Sequence, residues 1–202
     1  MGVEQNVKVR TRLTPEQRRA QLVGIGLQML TEQQVAEPNI DQVAATAGVS
    51  RGLIFHYFST TREYHLAVIE AAAKRVLKMF DVAPEGETES HLRAELAAYL
   101  EFVERRRDPY LMLARGPAGS NPDVVEIYDR ARSVVVDRII ASLGSHADNA
   151  TVRLLVGGWL SFVEDVAVGW VTDKTMPRDE LIEVLMRTLG AALENAGEGL
   201  AT

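Results

Sequence analysis

The sequence predicts an all-α protein of about nine helices, and three observations carry that prediction. Apolar residues recur every three or four positions over long stretches, while period-two alternation is almost absent. Helix-starting signatures return along the whole chain: Ser, Thr or Asn, followed directly by Pro or, three positions on, by Glu or Gln. Of the 202 residues, 47 % are hydrophobic and 25 % charged, the balance of a chain that can bury a core. None is cysteine, which excludes disulfide frameworks, thiolate catalysis and cysteine-held zinc.

The elements follow in order. Thr14-Pro15-Glu16-Gln17 supplies an N-cap, a proline at the first helical position and a Gln that closes a capping box. Leu22, Ile25, Gly26, Met29 and Leu30 then recur at helical spacing, predicting a helix over 15–33. Asn39, with Gln42 three residues on, starts a short helix to Ala47. Gly48 stops it, and Ser50 caps another that ends near Phe58. Thr60 and Glu63 form a further capping box that opens a long helix to about Phe80. Residues 81–89 are acidic, contain Pro and Gly, and read as a loop. Ser90 is expected to cap a helix to about Arg107; Asp108-Pro109 restarts a short one that Gly116 ends. Residues 116–122 form a second loop, and Asn121-Pro122 begins a helix to Gly144. Residues 149–172 and 178–196 supply two more, and no internal repeat or low-complexity tract occurs.

The net charge of −6 hides an uneven distribution. Residues 1–65 hold seven Lys or Arg and six Asp or Glu, whereas residues 66–202 hold 15 and 22. Between positions 8 and 19, Lys8, Arg10, Arg12, Arg18 and Arg19 face only Glu16. A basic arm on an acidic protein is a local electrostatic footprint, and it reads either as a nucleic-acid contact or as a solvated terminus. No apolar run approaches the roughly 20 residues of a bilayer-crossing helix, and the first residues lack a secretory apolar stretch. The expectation is a soluble cytoplasmic protein with no membrane partner.

The informative segment is Asn39-Ile40-Asp41-Gln42-Val43-Ala44-Ala45-Thr46-Ala47-Gly48-Val49-Ser50-Arg51-Gly52-Leu53-Ile54-Phe55-His56-Tyr57-Phe58. Two helices too short to stand alone meet at Ala47-Gly48-Val49-Ser50. Val43, Ala44 and Ala47 give the first a small apolar face, so the second can pack closely at a steep angle. Gly48 takes the positive φ of the tight turn, Val49 plugs the junction and Ser50 caps the second helix. Leu53 or Ile54, with Phe58, must face inward. Arg51, Gly52, Phe55, His56 and Tyr57 remain on or near the outer surface, the arrangement a major-groove reader requires.

With the capped helix before it, the basic arm and the run Phe55-His56-Tyr57-Phe58, this segment resembles the tetracycline-repressor (TetR) family of bacterial transcription regulators over positions 14–66. Two positions depart from the family pattern. Gln34 stands where a Gly is common, and Thr61 where a Lys commonly meets a phosphate, leaving that contact to the adjacent Arg62 or to a hydroxyl of Thr60 or Thr61. Carried over residue by residue, the resemblance implies a DNA surface of Arg51, Gly52, Leu53, Phe55, His56 and Tyr57. Arg51 is the candidate for a bidentate guanine contact and Phe55 for a thymine methyl. His56 and Tyr57 are candidate phosphate contacts, Tyr57 also reading as packing against the first helix. Asn39 starts the second helix, whose free N–H groups suit a phosphate; Asp41 beside it would repel one. Thr61 and Arg62 join the surface, and Arg10 and Arg12, with Lys8, would track the backbone or enter the minor groove.

The resemblance further implies a DNA-binding domain over 1–60 and a helical effector-binding and dimerisation domain over 61–202. It points to a repressor that leaves an inverted-repeat operator when a small hydrophobic ligand binds. The last two long helices, within 149–196, would form a four-helix bundle with a second copy. Leu181, Leu185, Leu189 and Leu193 repeat every four residues, and the helix before them is apolar on two sides, a pattern that fits either a dimer seam or a single-chain core. Gly158, Ser161, Asp165 and Gly169 form a small-and-polar strip on the same helix. Tyr99, Phe102, Tyr110, Leu113, Trp159 and Phe162 are candidate ligand contacts, with Met112 and Trp170 nearby and Arg115 and Asp165 as polar groups. No cofactor or metal is expected. The four histidines are scattered, and neither a phosphate-cradling glycine loop nor a nucleophile elbow is present, so an enzyme is not expected. The rival reading is a helical interaction module whose basic arm docks on an acidic partner.

Overall fold

A computed structural model describes residues 13–32, 37–79, 88–105, 121–143 and 149–196. Among these residues the chain forms eight α-helices and no strand. They are α1 (Pro15–Glu32), α2 (Ile40–Ala47), α3 (Arg51–Tyr57), α4 (Thr61–Met79), α5 (Thr88–Arg105), α6 (Pro122–Ser142), α7 (Ala150–Asp173) and α8 (Arg178–Asn195). The short helix expected at 108–116 falls outside the described residues, as do Lys8, Arg10, Arg12, Gln34, Tyr110, Met112, Leu113 and Arg115.

Local signals placed most helix ends. The Thr14 amide donates to Gln17 Oε1 at 2.9 Å, and the Gln17 amide donates to Thr14 Oγ1 at 3.2 Å, closing the expected box. Asn39, Ser50 and Asn121 each accept backbone N–H groups at the starts of α2, α3 and α6. Gly48 ends α2 at φ 66°, a left-handed conformation that needs no Cβ to be accommodated. The box at Thr60 is shifted: the Glu63 amide donates to Thr60 Oγ1, but the Glu63 carboxylate reaches back to the amide of Ser59. Ser90 is not a cap. It lies inside α5, which begins at Thr88 because Glu89 already pairs with Arg93 one turn on at 2.9 Å.

Two clusters of buried side chains organise the helices. The first joins Leu22 and Met29 of α1 to Ile40, Val43 and Ala44 of α2, Ile54 and Phe58, and Tyr64 and Val68 of α4. The second is built from α5 to α8 and includes Leu100, Val136, Val156, Trp159, Trp170 and Leu185. The leucine stripe of α8 is buried in this single-chain core, against α5 and α7, with Leu181, Leu185, Leu189 and Leu193 all at most 2 % exposed. That resolves its two readings in favour of the chain's own core, because α5 reaches the face a second copy would otherwise cover. The chain bridges the two clusters through α4, which packs on α1 at one side and on α6 at the other.

α7 corrects one expectation. Its 24 residues are long and apolar enough, by length and composition, to cross a bilayer, with a window of mean hydropathy 1.5. Here those apolar residues pack instead: Val152, Val156, Val163, Ala167 and Val171 are buried in the second cluster. The face left uncovered carries Leu154, 76 % exposed, and Phe162, 45 % exposed, beside Gly158, Ser161 and Asp165.

Candidate nucleic-acid interface and effector cavity

The α2-turn-α3 unit is held from inside. Ile54 and Phe58 are fully buried while Leu53 is half-buried, so the two apolar anchors of α3 are four residues apart on one face. That leaves Arg51, Gly52 and His56 exposed and Phe55 and Tyr57 half-buried against the first cluster. Tyr57 also meets His56 edge-on, ring centroids 5.3 Å apart. Arg19 of α1 lies over the buried Phe58 ring at 4.8 Å, bringing a cation from the first helix against the end of α3.

Several candidate DNA contacts already hold internal partners. Arg51 Nη1 donates to both carboxylate oxygens of Asp41 at 2.9 Å. Asn39 Oδ1 accepts from the amides of Asp41 and Gln42, so part of the free N–H set expected at the start of α2 is occupied. Arg62, one position after the exposed Thr61, pairs with Asp123 in the first turn of α6, Nη2 to Oδ2 at 2.6 Å. Its charge therefore ties the start of α4 to the second cluster's helices.

A cavity of about 910 Å³ opens between α4, α5, α6 and α7 and reaches the end of α1 at Leu27 and Leu30. Its volume lies within the roughly 300–1,000 Å³ of ordinary small-molecule sites. Tyr99, Phe102, Trp159 and Asp165 line it, whereas Phe162 points to the outer face of α7, because Trp159 and Val163 occupy the inward positions of that turn. Trp159 is fixed by its ring N–H, which donates to the carbonyl of Leu185 at 3.0 Å and to Thr188 Oγ1 at 3.2 Å.

The cavity also holds charged residues that sequence reasoning missed. Arg132 of α6 donates to the carbonyl of Gly157 at 3.1 Å and to Ser161 Oγ at 2.5 Å, and lies 3.5 Å from the carboxylate of Glu164. Burial pushes the Glu164 carboxyl above its ordinary range; Arg132 and a hydrogen bond from Tyr128 pull the other way. Glu95 of α5 is likewise raised by burial, opposed by His91 and Arg138. Arg138 donates to the carbonyl of Leu77 at 3.0 Å, in the last turn of α4, where helix carbonyls lack intrahelical partners. The missed signal was the pair Arg132 and Arg138 on a helix expected to be amphipathic; which partner each one meets is a tertiary fact.

A family profile described as tetracyclin repressor-like, C-terminal domain, matches residues 88–192, just over half of the chain. The HTH-type transcriptional activator FasR of Mycolicibacterium smegmatis is 23 % identical over 177 residues, covering 85 % of this chain and 81 % of that protein. A TetR-family transcriptional regulator from Streptomyces coelicolor superimposes with a TM-score of 0.76 at 28 % identity, covering 92 % of this chain and 84 % of that one. The transcriptional regulator FadR of Bacillus subtilis, solved in complex with stearoyl-CoA, has the same fold at a TM-score of 0.62 and 14 % identity, covering 84 % and 96 %.

Proposed function

This chain belongs to the tetracycline-repressor family of transcription regulators, and from that premise we propose that it is a homodimeric repressor, acting in the cytoplasm, that a small hydrophobic ligand releases from an inverted-repeat operator. Residues 1–60 form the DNA-binding domain and 61–202 the effector and dimerisation domain, α4 serving both. The observation that carries the reading is the wall of the cavity, which is made by α1 and α4 on one side and α5 to α7 on the other. A ligand that fills it touches the helix that positions the reading head.

In this reading α3 enters the major groove, with Arg51, Gly52, Leu53 and Phe55 toward the bases and His56, Tyr57, Asn39, Thr61 and Arg62 toward phosphates. Arg10 and Arg12 extend the electrostatic contact. The second copy docks on the uncovered face of α7, where Leu154 and Phe162 are exposed beside Gly158, within residues 149–196. The ligand lies against Tyr99, Phe102 and Trp159, with Asp165 at the cavity wall; Tyr110, Leu113 and Arg115, the other candidate contacts, fall outside the described residues. FadR's stearoyl-CoA complex supports a lipophilic occupant. Release requires several kcal/mol of differential ligand affinity between the two states, and operator DNA must weaken ligand binding by the same factor.

The test is selection from random duplexes followed by a mobility shift with each ligand that binds. The reading requires enrichment of an inverted repeat with half-sites about one helical turn, or a multiple, apart. It also requires that ligand displace the protein over its own binding range. Enrichment of a single asymmetric site, or tight ligand binding with operator affinity unchanged, contradicts it.

A further inference from the structure

Asp41 begins as the residue least suited to a DNA surface, a carboxylate in the first turn of α2 where a phosphate would otherwise be welcome. Its partner changes that reading. Arg51, ten residues on, turns Nη1 onto both Asp41 oxygens at 2.9 Å, and its guanidinium carbon sits 5.5 Å from the centroid of the Phe55 ring. Both side chains are exposed, Arg51 at 56 % and Asp41 at 66 %, so the pair adds little to folding stability. What it supplies is geometry.

A guanidinium reads guanine through two adjacent N–H donors placed against O6 and N7. In Arg51, Nη1 is committed to Asp41, while Nε and Nη2 make no hydrogen bond among the described residues. A carboxylate on one corner and the Phe55 ring 5.5 Å from the guanidinium carbon bias an otherwise flexible side chain toward one orientation. The same carboxylate repels any backbone phosphate that approaches that guanidinium, the competing contact that carries no sequence information.

We propose that Asp41 is a specificity-determining positioning residue: it holds Arg51 so that the free Nε–Nη2 edge meets a guanine, and it denies Arg51 to the phosphate backbone. The proposal rests on α3 lying in the major groove, as in the function proposed above.

The experiment measures binding of wild type, Asp41→Ala, Asp41→Asn, Arg51→Ala and Asp41→Ala/Arg51→Ala. The targets are the selected operator, its single-base variants and a random duplex, across a salt series, with circular dichroism confirming that each variant is folded. Loss of Asp41 lowers the guanine preference at one position per half-site by about 2- to 5-fold, the range of an exposed ion pair. Affinity for the random duplex rises, and the salt slope steepens as Arg51 moves to a phosphate. In the Arg51→Ala background, removing Asp41 leaves base preference unchanged. Asp41→Asn, which keeps the shape but not the charge, falls between Asp41→Ala and wild type. If instead Asp41→Ala strengthens binding to every sequence by one factor and leaves the guanine preference intact, Asp41 is only a repelling charge and the proposal is overturned. If wild type selects no inverted repeat, the groove-reading function fails first and this proposal with it.

Discussion

Two glycines two residues apart in α1 are expected to respond to alanine with opposite signs. Gly24 has nothing within 4 Å of where a Cβ would stand, so Gly24→Ala only lowers the entropy cost of helix formation. The expected gain is about 0.5–1 kcal/mol. At Gly26 the Cβ would stand 2.3 Å from Tyr64 Oη and 2.6 Å from Val68 Cγ2. Neither neighbour can yield. Both are fully buried on α4, and the Tyr64 hydroxyl is already fixed by donating to the carbonyl of Leu22 at 2.8 Å. Overpacking of this kind costs up to about 3 kcal/mol, against a helix-propensity gain of about 1, leaving a net loss of about 2 kcal/mol. In a chain of this size that lowers Tm by roughly 4–8 °C, while Gly24→Ala raises it slightly. Urea and thermal unfolding of both variants by circular dichroism give the answer. Gly26→Ala/Tyr64→Phe should recover part of the loss, because the hydroxyl contact goes while the Val68 contact stays. Equal stabilisation by both alanines would refute the close approach of α1 and α4.

Burial raises the Tyr64 phenol to about 12, so its neutral form favours the fold. That contribution is complete below about pH 10 and is lost as pH climbs from 10 to 12, on the order of 2 kcal/mol; urea midpoints of wild type and Tyr64→Phe should converge over that window, and parallel curves would count against it. Arg51→Ala should relax base choice at one position per half-site, costing about 1–3 kcal/mol there, whereas equal loss on operator and random DNA would make Arg51 a phosphate contact. A Cβ at Gly158 meets nothing within 4 Å in the single chain, so Gly158→Leu should preserve helicity and unfolding while light scattering reports monomer; an intact dimer would move the seam elsewhere. Lipophilic ligands should quench Trp159, which lines the cavity, and not Trp170, whose ring N–H is tied to the carbonyl of Met176 at 2.8 Å. Trp159→Phe therefore loses the signal and Trp170→Phe keeps it; the reverse pattern would place the ligand outside this cavity.

What the sequence determined by itself is whatever the chain decides within a few residues. The caps at Thr14, Asn39 and Ser50 and the left-handed turn at Gly48 depend on hydrogen bonds that span two to five positions. Periodicity likewise separated Phe58, with Leu53 or Ile54, from Arg51 and His56, because 3.6 residues per turn sorts faces without reference to the rest of the molecule; packing then buried Ile54 and left Leu53 half-buried. The same logic failed where two local solutions were equally good, as at Ser90, where an ion pair between Glu89 and Arg93 carried α5 one turn further back.

Tertiary structure decided which faces meet. The leucine stripe of α8 was legible as apolar, but only the position of α5 made it a core. Arg51 was legible as exposed, but not that Asp41 occupies one of its corners; Arg62 was legible as basic, but not that Asp123, 61 residues away, binds it. The pairs Arg132–Glu164 and Arg138–Leu77 link helices whose relative placement no periodicity encodes. The physical reason is range. Capping and helical periodicity are set by covalent geometry and neighbouring peptides, whereas a cavity, a latch or a buried charge pair exists only after distant helices have packed, when burial has fixed both the distance and the dielectric between them.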